Sequence, residues 1–240
     1  MKTSLSYKVY RTLRRGLKRL TPDAQKTLQA FVASQQTPHG YMNAGGCEDP
    51  YYGQFGEVLQ AVFHPMRLLH SKIHLTVPES RYQDTIYGLF FDFMEYESGV
   101  WSREYKAKSP SFGRDRREQD LKALSSKLGA ESSWTTNAVC CVLSMQHQMG
   151  IMPDSSCVEW LQQQQDETGG FRASEQAPIP DLLSTAVALF TLRLMDATTR
   201  DASQFVQAHW LNDGGFAPTL LDDYSDVEYV FYGLLALGSL

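Results

Sequence analysis

No run of 18 apolar residues occurs in the 240-residue chain, so no membrane-spanning helix is expected. Nor does a central apolar stretch follow the basic start, which argues against a secretory signal. Cysteine is scarce: Cys47, Cys140, Cys141 and Cys157 show no CxxC spacing. A disulfide framework is not expected, and the adjacent Cys140-Cys141 pair on an apolar run reads as small core residues. Acidic residues are missing from the first 20 positions, which hold Lys2, Lys8, Arg11, Arg14, Arg15, Lys18 and Arg19. Since the net charge is -5, the other 220 residues sum to -12. An acidic body with its excess cations on one short segment gives no footprint for nucleic acid.

What is present is ordinary in amount, 42% hydrophobic and 20% charged, and suits one buried core. Leu5, Val9, Leu13, Leu17 and Leu20 recur at three- and four-residue steps, so residues 1–20 are expected to form a basic amphipathic helix with one apolar stripe. Such a helix fits two roles. It can lie on an anionic membrane surface, or it can dock on the acidic body or a partner subunit. A transit peptide is also basic and poor in acids, but this segment runs on into Thr21-Pro22, an N-cap and first turn for another helix. The expectation is a cytoplasmic protein, either free or peripheral to a membrane, with residues 21–240 as a single domain.

The informative feature is a repeat. Gly169-Gly170-Phe171 recurs 45 residues later as Gly214-Gly215-Phe216. Before each turn stands a short amphipathic segment, Val158 to Gln165 and Ala202 to Trp210, ended by the glycine pair. After each come a loop, an aspartate and an apolar run, Leu182 to Leu194 and Val227 to Leu237. A helix apolar all round is a buried helix. The alternation of half-exposed and buried helices at this period marks a helical repeat array. Weaker copies place His39-Gly40-Tyr41 where the glycine pair would stand, with Asp49 before Tyr51 to Phe63. Further buried runs are Thr85 to Phe93 after Asp84, and Trp134 to Met145 after Ser132-Ser133. Five buried helices are thus expected, beginning near residues 50, 83, 133, 181 and 225, with outer helices before them, including one near residues 66–74; residues 102–113 read as loop. A closed ring hides the ends of such an array.

The order Gln, spacer, Gly-Gly-Phe, spacer, Asp, apolar helix resembles the repeat of protein prenyltransferase β subunits and of squalene and related terpenoid cyclases. The resemblance implies an all-α fold, an α/α toroid of about five helix pairs plus the N-terminal helix. It also implies a central apolar cavity that holds an isoprenoid. Independently, helix N-termini gathered at one rim favour an anion there. Aromatic residues fall on the inner helices, among them Tyr51, Tyr52, Phe55, Tyr87, Phe90, Phe91, Trp134, Phe190, Tyr229, Phe231 and Tyr232. Ring faces can hold a polyprenyl chain or a carbocation, and equally they can simply fill a core.

The chemistry of that family is only partly matched. Prenyltransferases of this kind hold zinc with Asp-x-Cys and a later His; here Asp181 stands for the aspartate, Leu183 for the cysteine and Tyr229 for the histidine. Leucine cannot ligate, so no zinc cofactor is expected. The diphosphate-binding cations before that aspartate are replaced by Glu175 and Gln176, leaving Arg172 as the nearest basic candidate. Cyclases use Asp-x-Asp-Asp, whose paired carboxylates keep one acid protonated. Asp181-Leu182-Leu183-Ser184 keeps only the first, whereas Asp226-Val227-Glu228 keeps two acids of three. The catalytic candidates are therefore Asp226, Glu228 and Asp181, and the substrate-binding candidates Tyr52, Phe55, Tyr87, Phe91, Trp134, Phe190, Tyr229, Tyr232 and Arg172. The same acids also suit helix capping. His39, Cys47, Glu48 and Asp49 form a further cluster in a glycine-rich loop, able to bind a metal or expose a thiolate. The function expected is isoprenoid processing, by acid-initiated cyclisation or prenyl transfer, or else non-catalytic binding of a lipid or a protein.

Overall fold

A computed structural model describes residues 4–64 and 134–240. Tyr87, Phe90, Phe91, Asp84, the 66–74 helix, the 102–113 loop and the buried helix expected near residue 83 lie outside the described residues. Eight helices stand among the described residues: α1 Leu5–Arg19, α2 Pro22–Ser34, α3 Pro50–Phe63, α4 Thr136–Met149, α5 Ser155–Gln163, α6 Leu182–Leu194, α7 Ser203–Ala208 and α8 Val227–Ser239. The fold is all-α, as the buried apolar runs require, and the helices near residues 50, 133, 181 and 225 are α3, α4, α6 and α8.

Each described inner helix begins at a side-chain cap. Asp49 accepts from the Tyr51 amide, Thr135 from Ala138, Asp181 from Ser184 and Asp226 from Tyr229, which satisfies N–H groups that the helix itself leaves open. The turns before α3 and α6 contain short antiparallel hairpins, β1 Gln36–Thr37 with β2 Gly40–Tyr41 and β3 Phe171–Arg172 with β4 Pro180–Asp181, which period-based reading does not reveal.

Among the described residues the end of the repeat meets its beginning. Gly169 and Gly214 have φ of +87° and +97°, a region that side chains other than glycine rarely adopt. A Cβ on Gly169 would lie 2.2 Å from the Asp201 carbonyl oxygen, at the entry to α7, the next outer helix. A Cβ on Gly214 would lie 2.7 Å from the Thr27 backbone, in α2, the first outer helix. The last turn thus docks on the first helix as the previous turn docks on the next. The inner helices agree: α4 packs on α6, α6 on α8, and α8 on α3.

The basic helix lies against α8, with Leu5, Leu13 and Leu17 buried. Contact is backbone to backbone, because a Cβ on Gly16 would come within 2.0 Å of the Leu234 oxygen, and one on Gly238 within 1.9 Å of the Thr12 oxygen. From there α1 reaches the last turns of two other inner helices. Arg14 donates to the Val62 carbonyl of α3 at 3.1 Å, and Lys8 to Gln148 of α4 at 2.9 Å. Cations suit helix C-termini, so the positive segment is matched in part by helix ends.

Filling the α1–α8 contact with one methyl group forces two backbones apart. Gly16→Ala or Gly238→Ala is expected to cost about 2–3 kcal/mol, the upper part of the overpacking range. Gly40→Ala, with open space around it, serves as the reference in chemical denaturation and is expected to shift the midpoint little.

Candidate functional site

The acids that cap α6 and α8 lie at one end of the inner helices, where the tyrosines at the start of α3 meet them. Tyr51 donates its hydroxyl proton to Glu228 Oε1 at 2.9 Å. The neighbouring Tyr52 hydroxyl bonds the Asp226 carboxylate, which also accepts from the Tyr229 amide at 3.1 Å. Two successive tyrosines on the first inner helix therefore hold the two acids of the last one. Asp226 and Glu228 are buried, at 1% and 8% exposure.

Burial decides their protonation. Desolvation pushes the Glu228 carboxyl up to about 7, against the lowering effect of the Tyr51 hydrogen bond, and the charge of Asp226 adds to the rise. For Asp226 burial also outweighs the hydrogen bonds from Tyr229, Glu228, Tyr52 and Ala44, and its pKa is raised. Asp181, whose carboxylate accepts from the Ser184 amide at 2.7 Å, is raised by burial as well. The charges of Asp226, Glu228 and Asp49 all reach Tyr52, and those of Glu228, Asp226 and Asp181 reach Tyr229. Asp49, Asp181, Asp226 and Glu228 are thus one electrostatic group; Asp84, which precedes the buried helix expected near residue 83, lies outside the described residues.

Below the acids an aromatic cluster continues inward. Tyr51, Tyr52 and Phe55 of α3 meet Phe231 and Tyr232 of α8, and Tyr232 meets Tyr229, with ring centroids 5.3 to 6.5 Å apart. These are the offset and edge contacts that aromatic rings favour. Burial raises the pKa of both Tyr232 and Cys141 of α4, and the charge on Cys141 reaches Tyr232. Both nevertheless keep some accessible surface.

Of the sequence candidates, Asp226, Glu228, Asp181, Tyr52, Phe55, Tyr229 and Tyr232 are brought together at or just below this mouth. Tyr87 and Phe91 lie outside the described residues. Phe190 is buried on α6. Trp134 stands ahead of α4 with its ring on Trp160 of the outer helix α5, centroids 5.3 Å apart, away from the α3–α8 cluster. Arg172 sits on β3 opposite Pro180, one pair from the Phe171–Asp181 pair, so it borders the rim; its Nε is buried without a partner among the described residues. Cys47 is exposed in the loop before α3. Tyr51 is the residue that sequence reasoning passed over as a site candidate. Its signal was faint: an aromatic two residues after a capping aspartate. His209, given no role from the sequence, is buried in the core, with Nδ1 2.8 Å from the Phe205 carbonyl; burial first of all depresses its pKa.

The zinc of the resembling transferases does not fit these residues. Asp181 could still offer an oxygen, but Leu183 offers no donor, and Tyr229 is held protonated first by burial and then by Glu228 and Asp226. Among the described residues no group of three His, Cys, Asp or Glu side chains is placed to hold a metal ion, and no described helix is long and apolar enough to cross a membrane.

The family model of the prenyltransferase alpha-alpha toroid domain matches residues 115–240, just over half of the chain. No curated protein matches the sequence.

The carboxyl of Glu228 makes stability depend on pH in a defined direction. Its folded pKa of about 7 lies above the ordinary 4.5, so the folded state holds a proton that the unfolded chain releases first. The resulting stability is present below 4.5 and is lost as pH rises to 7. Asp181 and Asp226 act in the same direction and His209 in the opposite one, below its ordinary 6.5. Glu228→Gln is expected to remove up to about 3 kcal/mol of the loss between pH 5 and pH 8, measured by urea denaturation at both.

Proposed function

The chain belongs to the prenyltransferase α/α toroid family, and on that premise we propose that it processes an isoprenoid. The apolar chain enters the aromatic-lined interior between α3, α4 and α8, and Glu228 with Asp226 is the acid pair at the mouth. The observation that carries this reading is the state of Glu228: a buried carboxyl whose pKa of about 7 keeps much of it protonated near neutral pH, hydrogen-bonded to Tyr51 and set above a cluster of ring faces.

A general acid works best when its pKa lies near the working pH. In acid-initiated cyclisation the Glu228 O–H bond breaks, its proton goes to the substrate, and a cation develops on the isoprenoid. The faces of Phe55, Tyr52 and Tyr232 then stabilise that cation. The Glu228 carboxylate regains a proton when the cyclised cation loses one, so the step balances. An acid of this strength suits an oxygen on the isoprenoid, as in an epoxide that opens to a hydroxyl kept on the product, better than a bare alkene. In prenyl transfer the C–O bond from the prenyl carbon to diphosphate breaks, that carbon bonds to the acceptor, the ionised form of the same carboxyl takes the acceptor's proton, and diphosphate leaves to solvent. The site would operate within the cell, where isoprenoid substrates are soluble as diphosphates or dissolved in membranes.

A second reading has its own support. Asp226 and Asp181 both serve as caps, and Leu183 and Tyr229 stand where the transferases have ligands. On that view the toroid binds a lipid or a partner protein without chemistry.

Incubation with geranylgeranyl diphosphate, squalene-like polyenes and their epoxides, followed by mass spectrometry, separates the two. Turnover is expected for the wild type, with a loss of about 100-fold or more in Glu228→Gln and a smaller loss in Asp226→Asn. Lipid binding without any product would leave the second reading standing and end the first.

A further inference from the structure

The end of the molecule away from the acidic mouth carries the opposite charge. Arg11, Arg15 and Arg19 recur at four-residue steps along α1 and so share one of its faces. Two contacts bring a fourth guanidinium to that face. Gly238 of α8 abuts the Thr12 backbone, and Arg193, in the last turn of α6, donates to the Ser239 carbonyl at 2.9 Å. Arg15 reaches back to the Thr12 hydroxyl at 3.4 Å, so it stands where the ends of α6 and α8 meet α1. Arg15 is half-buried, and Arg11, Arg19 and Arg193 are exposed around it.

Among the described residues none of the four makes an ion pair; the salt bridge there is Lys26 with Asp23. Their mutual repulsion is felt at Arg15, whose pKa is lowered first by burial and then by Arg193, Arg11 and Arg19. The hydrogen bond from Arg193 to a helix-end carbonyl holds that side chain in place but carries only a partial negative charge.

We propose that Arg11, Arg15, Arg19 and Arg193 form a binding site for a polyvalent phosphate anion. Guanidinium forks match phosphate oxygens two at a time, and three of them around the half-buried Arg15 attract more negative charge than a single carboxylate brings. The oxygens would come from a soluble diphosphate or from the phosphate headgroup of a lipid. This site lies apart from the Glu228 mouth and stands or falls separately from the proposed reaction.

Two probes test it on the full chain. Sodium diphosphate, at constant ionic strength against sodium chloride, is expected to raise the melting temperature. Phosphatidylcholine vesicles doped with phosphatidic acid are expected to sediment the protein where undoped vesicles do not. A response to diphosphate assigns a soluble anion, and a response to the doped vesicles alone assigns a lipid headgroup. The double variant Arg11→Gln, Arg15→Gln keeps the Arg193 carbonyl bond and is expected to bind about tenfold more weakly or worse. It is also expected to melt no lower than the wild type in plain buffer, because it relieves repulsion. Lys26→Gln, which removes a cation elsewhere, is expected to bind as the wild type does. Binding of neither probe, or undiminished binding by the double variant, would overturn the site.

Discussion

The structure depends on the seam where α8, the last inner helix, meets α3, the first. At that seam Tyr51 and Tyr52 hold Glu228 and Asp226, and on the outer layer Gly214 docks on the Thr27 backbone. Both contacts join parts of the chain that are far apart in sequence, and both follow the repeat. Burying two carboxylates there is unfavourable, and the tyrosine hydroxyls and helix amides offset only part of it, since desolvation still raises both pKa values. That residual strain is what keeps much of Glu228 protonated near neutral pH.

Alignment of the inner helices also explains the uneven distribution of charge. Their N-termini carry Asp49, Asp181, Asp226 and Glu228, whereas their C-terminal turns receive Lys8, Arg14 and Arg193. Helix dipoles favour this arrangement at both ends. The basic start of the sequence is thus placed by apolar burial of Leu5, Leu13 and Leu17 and oriented by the Val62 carbonyl and the Gln148 side chain at two helix ends.

Much of this was legible in the sequence because it is local. An apolar run after an aspartate marks a capped, buried helix, and α6 and α8 begin where that pattern says. Glycine pairs mark the turns, since positive φ leaves little choice of residue. The acids of α8 stood out by spacing alone. What could not be read is what depends on which helices become neighbours. Tyr51 gains its meaning from a residue 177 positions away, and Trp134 goes to the outer helix because Trp160 happens to face it. The contact of α1 with α8 rests on two isolated glycines, Gly16 and Gly238, neither in a turn nor in a motif. Spacing along a chain carries no record of such pairings.

The account is tested most directly by the titration of Glu228 itself. Carbon-13 NMR of protein labelled at glutamate side-chain carboxyls is predicted to show one resonance titrating near pH 7, absent in Glu228→Gln and shifted to still higher pH in Tyr51→Phe. If every glutamate carboxyl titrates near its ordinary 4.5, Glu228 is in water, the seam between α3 and α8 is open, and the acidic mouth described here does not exist.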